Sequence, residues 1–183
     1  MRILKIVPDT VVDGPGLRTS IYFAGCKVHC EGCHNPESWD LDGGTEYSNL
    51  DILKTIEEYG NKRVTLTGGN PLDQNLYELT SLCCQLKSKG YNTWIYSGYT
   101  WEQILKNFNI YLDVSPEYML YYMLLHSIDV LVDGPFINSL KDTSLLYRGS
   151  SNQRIIDVQK SLESQTVVLY ENNSSTSTDN RIS

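Results

Sequence analysis

Leu17-Arg18-Thr19-Ser20-Ile21-Tyr22-Phe23-Ala24-Gly25-Cys26-Lys27-Val28-His29-Cys30-Glu31-Gly32-Cys33 reads as a strand that runs directly into a cysteine loop. Residues 17–24 are rich in β-branched and aromatic side chains, which suit a pleated, half-buried surface. Asp13-Gly14-Pro15-Gly16 supplies a turn before them, and Gly25 ends them. The three cysteines are spaced C-x-x-x-C-x-x-C.

Outward from this stretch, helices and strands alternate. Ser48 or Asn49 caps a predicted helix over residues 50–59, with Leu50, Leu53 and Ile56 at helical spacing and Gly60 as its stop. Residues 63–67 form a predicted strand running into Gly68-Gly69. Leu76, Leu79, Leu82, Cys83 and Leu86 mark one face of a second helix, ended by Gly90. Residues 93–96 are the next strand, and Thr100 caps a short helix holding Trp101, Ile104 and Leu105. Ser115-Pro116-Glu117 opens another helix, whose Tyr118, Tyr121 and Tyr122 read as helix core or as part of an interface. Residues 128–132 are an apolar strand ending in Asp133-Gly134-Pro135, and 152–158 are one more strand or an irregular segment.

This alternation predicts an α/β fold with a largely parallel sheet. In such folds ligands sit at the carboxyl ends of the strands. The features around Cys26, Gly68 and Gly134 each follow a predicted strand and so share one rim. A closed (βα)8 barrel takes about 250 residues, so a chain of 183 is expected to form a partial barrel or an open curved sheet. The expected organisation is one domain over residues 1–158 and a polar tail over 159–183. From Glu171 onward the tail has almost nothing to bury and reads as disordered.

With 15 Lys and Arg against 22 Asp and Glu, the formal net charge is −7. That balance argues against direct nucleic-acid binding, which needs cations to displace counterions from phosphate. No run approaches the roughly 18 apolar residues of a membrane span, so no membrane partner is expected. The first residues lack the apolar core of a signal peptide, and the cytoplasm is the expected compartment. An odd number of cysteines, five, is poor material for a disulfide framework. Cys83 and Cys84 read as core or near-core thiols on a helix.

Cys26, Cys30 and Cys33 call for another explanation. A loop leaving a strand and folding back brings three thiolates to one face of an inorganic cluster. Cube clusters commonly take four thiolates, so a missing fourth implies an open coordination site. Structural zinc, with His29 or His34 added, is the alternative. It favours paired C-x-x-C units a dozen or more residues apart, and no second pair is present.

The run Gly14-Pro15-Gly16-Leu17-Arg18, with Phe23-Ala24-Gly25-Cys26, Cys30-Glu31-Gly32-Cys33-His34-Asn35-Pro36 and Trp39, resembles the radical S-adenosylmethionine activases of glycyl radical enzymes. Within them it is most similar to those that activate anaerobic ribonucleoside-triphosphate reductases. Thr65-Leu66-Thr67-Gly68-Gly69-Asn70-Pro71-Leu72, Val132-Asp133-Gly134-Pro135-Phe136 and Arg148-Gly149-Ser150-Ser151-Asn152-Gln153-Arg154 support the narrower match. The short chain also fits, because pyruvate formate-lyase activases are longer. The alternatives within the resemblance are an activase of that other type, or an enzyme acting on a small molecule.

The resemblance implies a partial, open (βα) barrel of radical S-adenosylmethionine type, with a mostly parallel curved sheet. It implies a [4Fe-4S] cluster on Cys26, Cys30 and Cys33, with S-adenosylmethionine on the fourth iron. One electron then cleaves S-adenosylmethionine to methionine and a 5′-deoxyadenosyl radical, which takes a hydrogen atom from a glycine of the partner. The partner would be the large, glycyl radical chain of the reductase, and a flavodoxin-like protein the electron donor. Gly68 and Gly69 would cradle the methionyl group. Asn70 stands where the family usually has Glu or Asp for the ammonium, and Gly32 where many members have an aromatic residue. His34 would lie along the adenine, or simply be an exposed loop residue. Asp133 would bond the ribose or cap a turn. Arg18 would neutralise a carboxylate near the cluster or partner, or sit in a surface ion pair. Residues 148–154 carry no assigned mechanism.

Overall fold

A computed structural model describes residues 1–107 and 116–171 of the chain. A seven-stranded sheet runs in the order β3-β1-β2-β4-β5-β6-β7. Its strands are β1 (Arg2–Thr10), β2 (Arg18–Phe23), β3 (Thr45–Glu46), β4 (Arg63–Gly68), β5 (Asn92–Tyr96), β6 (Val130–Asp133) and β7 (Arg154–Asp157). The four middle strands, β2, β4, β5 and β6, are parallel, and β1, β3 and β7 pair antiparallel at the flanks. The sheet does not close, so the chain is mixed α/β with a parallel centre.

The predicted strands and helices are present, with small shifts at their ends. β1 is an addition that sequence reading missed. Pro8 interrupts it, and the pairing with β2 slips between Val7 and Thr10, where Asp9 takes φ +53°. Proline cannot donate to a ladder, which hides the Ile3, Ile6 and Val7 pattern. Helix α1 (Asn49–Tyr59) starts with a capping box between Ser48 and Asp51 and stops at left-handed Gly60. Helix α2 (Leu76–Ser88) is capped by Asn75. Thr100 and Gln103 bond reciprocally at the start of α3 (Trp101–Asn107). Helix α4 covers Pro116–Ser127; its predicted cap, Ser115, lies outside the described residues.

The chain stays folded past residue 158. Helix α5 (Val158–Ser164) is capped by Asp157, and Val168 and Tyr170 then bond back to β7. The predicted tail from residue 172 onward lies outside the described residues. Among the described residues, no helix is long and apolar enough to cross a membrane.

Strand alternation gives the sheet two faces. Ile21, Phe23, Val64, Leu66, Ile95 and Leu131 pack with the apolar faces of the helices, and Cys83 is fully buried there. Cys84 is half-buried, its sulfur 3.1 Å from Ser127 Oγ. The other face carries Arg18, Thr65, Trp94, Tyr96 and Val132. Tyr147 and Tyr170 meet Trp94 edge-on there. Arg18 is fully buried on this face. Its guanidinium lies 5.1 Å from the Trp94 ring and donates to Thr65 Oγ1 (2.7 Å), the Val64 carbonyl (2.8 Å) and Asn92 Oδ1 (3.1 Å). Burial pulls its pKa down to about 10. Among the described residues Arg18 is ion-paired to no carboxylate, and its burial excludes a surface ion pair; it is a buried tie across the sheet.

Candidate functional site

The cysteine loop is held at both sides of its first turn. Gly25 turns the chain at φ +93°. Its N–H donates to the Ser38 carbonyl (2.8 Å), and the Cys26 N–H donates to the Trp39 carbonyl (3.3 Å). From the next strand end, Gly69 N–H donates to Phe23 O and Asn70 N–H to Gly25 O, both at 2.8 Å. His29 adopts φ +48° and its ring stacks on Trp39 at 4.8 Å. Val28 rests on Gly98, where a Cβ would come within 2.7 Å of it.

Cys26, Cys30 and Cys33 are half-buried, unpaired thiols that line one cavity of about 120 Å³. Burial pushes the Cys26 thiol up in pKa, and the N–H groups of His29 and Val28 bonded to its sulfur oppose that rise. Burial likewise raises Cys30, opposed by the Phe136 N–H. Asn35 N–H lies 3.4 Å from Cys33 Sγ. All three sulfurs thus receive backbone N–H groups, which favour the thiolate form and tune iron–sulfur clusters. Among the described residues, no three His, Cys, Asp or Glu side chains are grouped to hold a single metal ion.

The site residues expected from sequence separate into two groups. His34, Gly68 and Gly69 line the cavity together with the cysteines and Gly134. Gly32, Asn70 and Asp133 do not line it. Gly32 faces Asn138 and borders a neighbouring cavity of about 290 Å³. Asn70 is fully buried; its Oδ1 accepts from Ser97 Oγ (3.2 Å) and its Nδ2 donates to Asp73 (3.0 Å). Asp133 accepts from the Trp101 N–H (2.7 Å), capping α3, and pairs with Arg154. Its carboxylate is engaged by the start of α3 and by Arg154, neither of which belongs to its own turn.

The glycines at the end of β4 have a steric cause within the protein. A Cβ on Gly68 would fall 2.5 Å from Phe23 N, and one on Gly69 would fall 2.3 Å from Gly25 O. Both positions abut the backbone that enters the cysteine loop. Gly68 also takes φ +99°, which disfavours any side chain.

Sequence reading missed Asp73, Gly98 and Tyr99. Asp73 bonds the loop at Lys27, and Tyr99 bonds Asp73. No local pattern marks these partners, which come from separate loops. A second cavity of about 370 Å³ shares His34, Thr67, Gly68 and Tyr96 with the first and extends to Asp13, Tyr22 and Arg148. Gln153 lines the first cavity and Arg148 the second, which places the 148–154 segment beside the site; within it Arg148 donates to the Gln153 carbonyl (2.7 Å).

Residues 12–156 match the family described as 4Fe-4S single cluster domain. Three similar proteins carry the name anaerobic ribonucleoside-triphosphate reductase-activating protein. The one from Escherichia coli (strain K12) is 31% identical over 161 residues, covering 84% of this chain and 96% of the relative. The one from Vibrio cholerae is 35% identical over 163 residues, 85% of this chain and 97% of the relative. The one from Enterobacteria phage T4 is 32% identical over 158 residues, 82% and 90% respectively.

Proposed function

We propose, for a chain that belongs to the anaerobic ribonucleoside-triphosphate reductase-activating proteins and to the 4Fe-4S single cluster domain family, that it generates the glycyl radical of such a reductase by reductive cleavage of S-adenosylmethionine. The observation that carries this reading is the cysteine loop: three half-buried thiols, each met by backbone N–H groups, open on one cavity at the strand ends. When bound, a [4Fe-4S] cluster and S-adenosylmethionine supply the electron and the hydrogen-abstracting carbon radical.

The chain's own residues do the holding. Cys26, Cys30 and Cys33 hold the cluster and leave one iron for S-adenosylmethionine. Gly68 and Gly69 bring bare backbone to the cavity wall beside the start of the loop, and His34 lines the same cavity. Asn70 and Asp133 act from behind, one through Ser97 and Asp73, the other by fixing the start of α3. Gly32 lets the loop turn at φ +74°. The open sheet is read as a partial barrel of radical S-adenosylmethionine type, whose unclosed side admits a protein segment. The glycyl radical chain of the reductase is the partner, a flavodoxin-like protein the donor, and the cytoplasm the compartment.

The test is anoxic reconstitution with iron and sulfide, reduction, and addition of S-adenosylmethionine and the reductase. The reading requires 5′-deoxyadenosine, methionine and a glycyl radical signal in the reductase. A colourless zinc protein, or deoxyadenosine without any signal in the reductase, would overturn it.

A further inference from the structure

Three strand ends bond one carboxylate, and a fourth is tied to it through Tyr99. Asp73 Oδ2 accepts from the Lys27 N–H (2.8 Å), the residue directly after Cys26 that leaves β2. The same oxygen accepts from Asn70 Nδ2 (3.0 Å), at the end of β4. Asp73 Oδ1 accepts from the Tyr99 hydroxyl (2.7 Å), beyond the end of β5. The Tyr99 carbonyl in turn accepts from the Gly134 N–H (3.1 Å), at the end of β6. No cationic side chain is hydrogen-bonded or ion-paired to Asp73 among the described residues. Its charge therefore stays uncompensated by an ion pair, next to the first cysteine.

We propose that Asp73 is a positioning residue that pins the first turn of the cysteine loop and keeps a fixed negative charge beside Cys26, lowering the reduction potential of the cluster held there. This rests on the reading that Cys26, Cys30 and Cys33 hold a cluster. Adding an electron beside a fixed anion is disfavoured, more strongly where protein replaces water. Hydrogen bonds and charges around the ligands are the means by which a protein sets a cluster's potential. Asparagine at position 73 would keep the shape and lose the charge. It can offer Lys27 and Asn70 only an uncharged Oδ1, with its Nδ2 turned to the Tyr99 hydroxyl, so the bonds that remain are weaker than those to a carboxylate.

The experiment uses the full chain, reconstituted anoxically, as wild type, Asp73→Asn and Tyr99→Phe. Iron per chain is measured, and the cluster is titrated electrochemically with detection by electron paramagnetic resonance. In Asp73→Asn at full iron content, the reduced fraction at the wild-type midpoint should exceed the oxidised by about tenfold, which is 59 mV for one electron. Tyr99→Phe, which keeps the charge, should not move the midpoint upward. A wild-type midpoint in fully loaded Asp73→Asn, or an equal upward shift in Tyr99→Phe, overturns the charge effect. If Asp73→Asn does not retain iron, amide hydrogen exchange on cluster-free chains decides. Exchange at Lys27 should quicken about tenfold over wild type, and unchanged exchange overturns the anchoring. A wild-type chain that takes up no cluster would instead sink the functional reading, leaving the exchange comparison intact.

Discussion

Gly69→Ala separates two reasons for a glycine at the end of β4. Gly69 is not in the left-handed region, so alanine brings no backbone penalty of that kind. The added Cβ would stand 2.3 Å from Gly25 O, 2.8 Å from Gly25 C and 2.9 Å from Ser38 O. Ordinary contact begins at 3.4 Å, so the backbone entering the cysteine loop must retreat by about 1 Å. That retreat breaks or stretches two 2.8 Å bonds, Asn70 N–H to Gly25 O and Gly25 N–H to Ser38 O. Each such bond contributes about 1 kcal/mol, and burying the orphaned groups adds more, so the cost is roughly 2–4 kcal/mol. For a chain of this size that lowers Tm by about 5–15 °C. Thermal unfolding of the cluster-free variant measures it, with iron uptake as the second readout. A glycine needed only for ligand approach would leave the cluster-free variant as stable as wild type. Wild-type Tm together with wild-type iron content would refute the steric account.

Arg18→Lys keeps the charge but loses the planar fork that reaches Thr65, Val64 and Asn92; urea unfolding should show a loss of roughly 2 kcal/mol. Arg154 holds the Glu102 carboxyl at a pKa of about 2. The folded value lies below the ordinary one of about 4.3, so the stabilisation is present above that value and fades as pH falls towards 2. Glu102→Gln should therefore lose stability at pH 6 but little at pH 2.5, by less than about 1 kcal/mol because the pair is largely exposed. Cys83→Ser puts a hydroxyl into a fully buried apolar site; it should cost roughly 1–3 kcal/mol in denaturant while iron per chain stays at the wild-type level.

Much of the fold was legible because its signals are local. Ser48 with Asp51, Thr100 with Gln103, and Gly60 after α1 are short-range grammar, and each sits where helix physics puts it. β2, β4, β5 and β6 announce themselves as apolar or β-branched runs closed by glycine. β1 stayed hidden because Pro8 and the slipped register break its alternation. In the site, the cysteine spacing is contiguous in sequence and could be read. The roles of Arg18 and Asn70 could not, because the partners that define them, Thr65 and Asn92 for Arg18 and Ser97 for Asn70, lie 27 to 74 residues away. Asp73 is the same case: a carboxylate in Pro71-Leu72-Asp73-Gln74 shows nothing until three loops converge on it. Gly68 and Gly69 were legible as positions that exclude a side chain, while what excludes it, the backbone of β2 and of Gly25, is a tertiary fact.

The most direct measurement is low-temperature electron paramagnetic resonance of the reduced, anoxically reconstituted chain, before and after S-adenosylmethionine is added. The account predicts a [4Fe-4S] signal that changes shape on addition, and no such signal in Cys26→Ala, Cys30→Ala or Cys33→Ala. A wild-type signal indifferent to S-adenosylmethionine, or one that survives loss of any of these thiols, would contradict it.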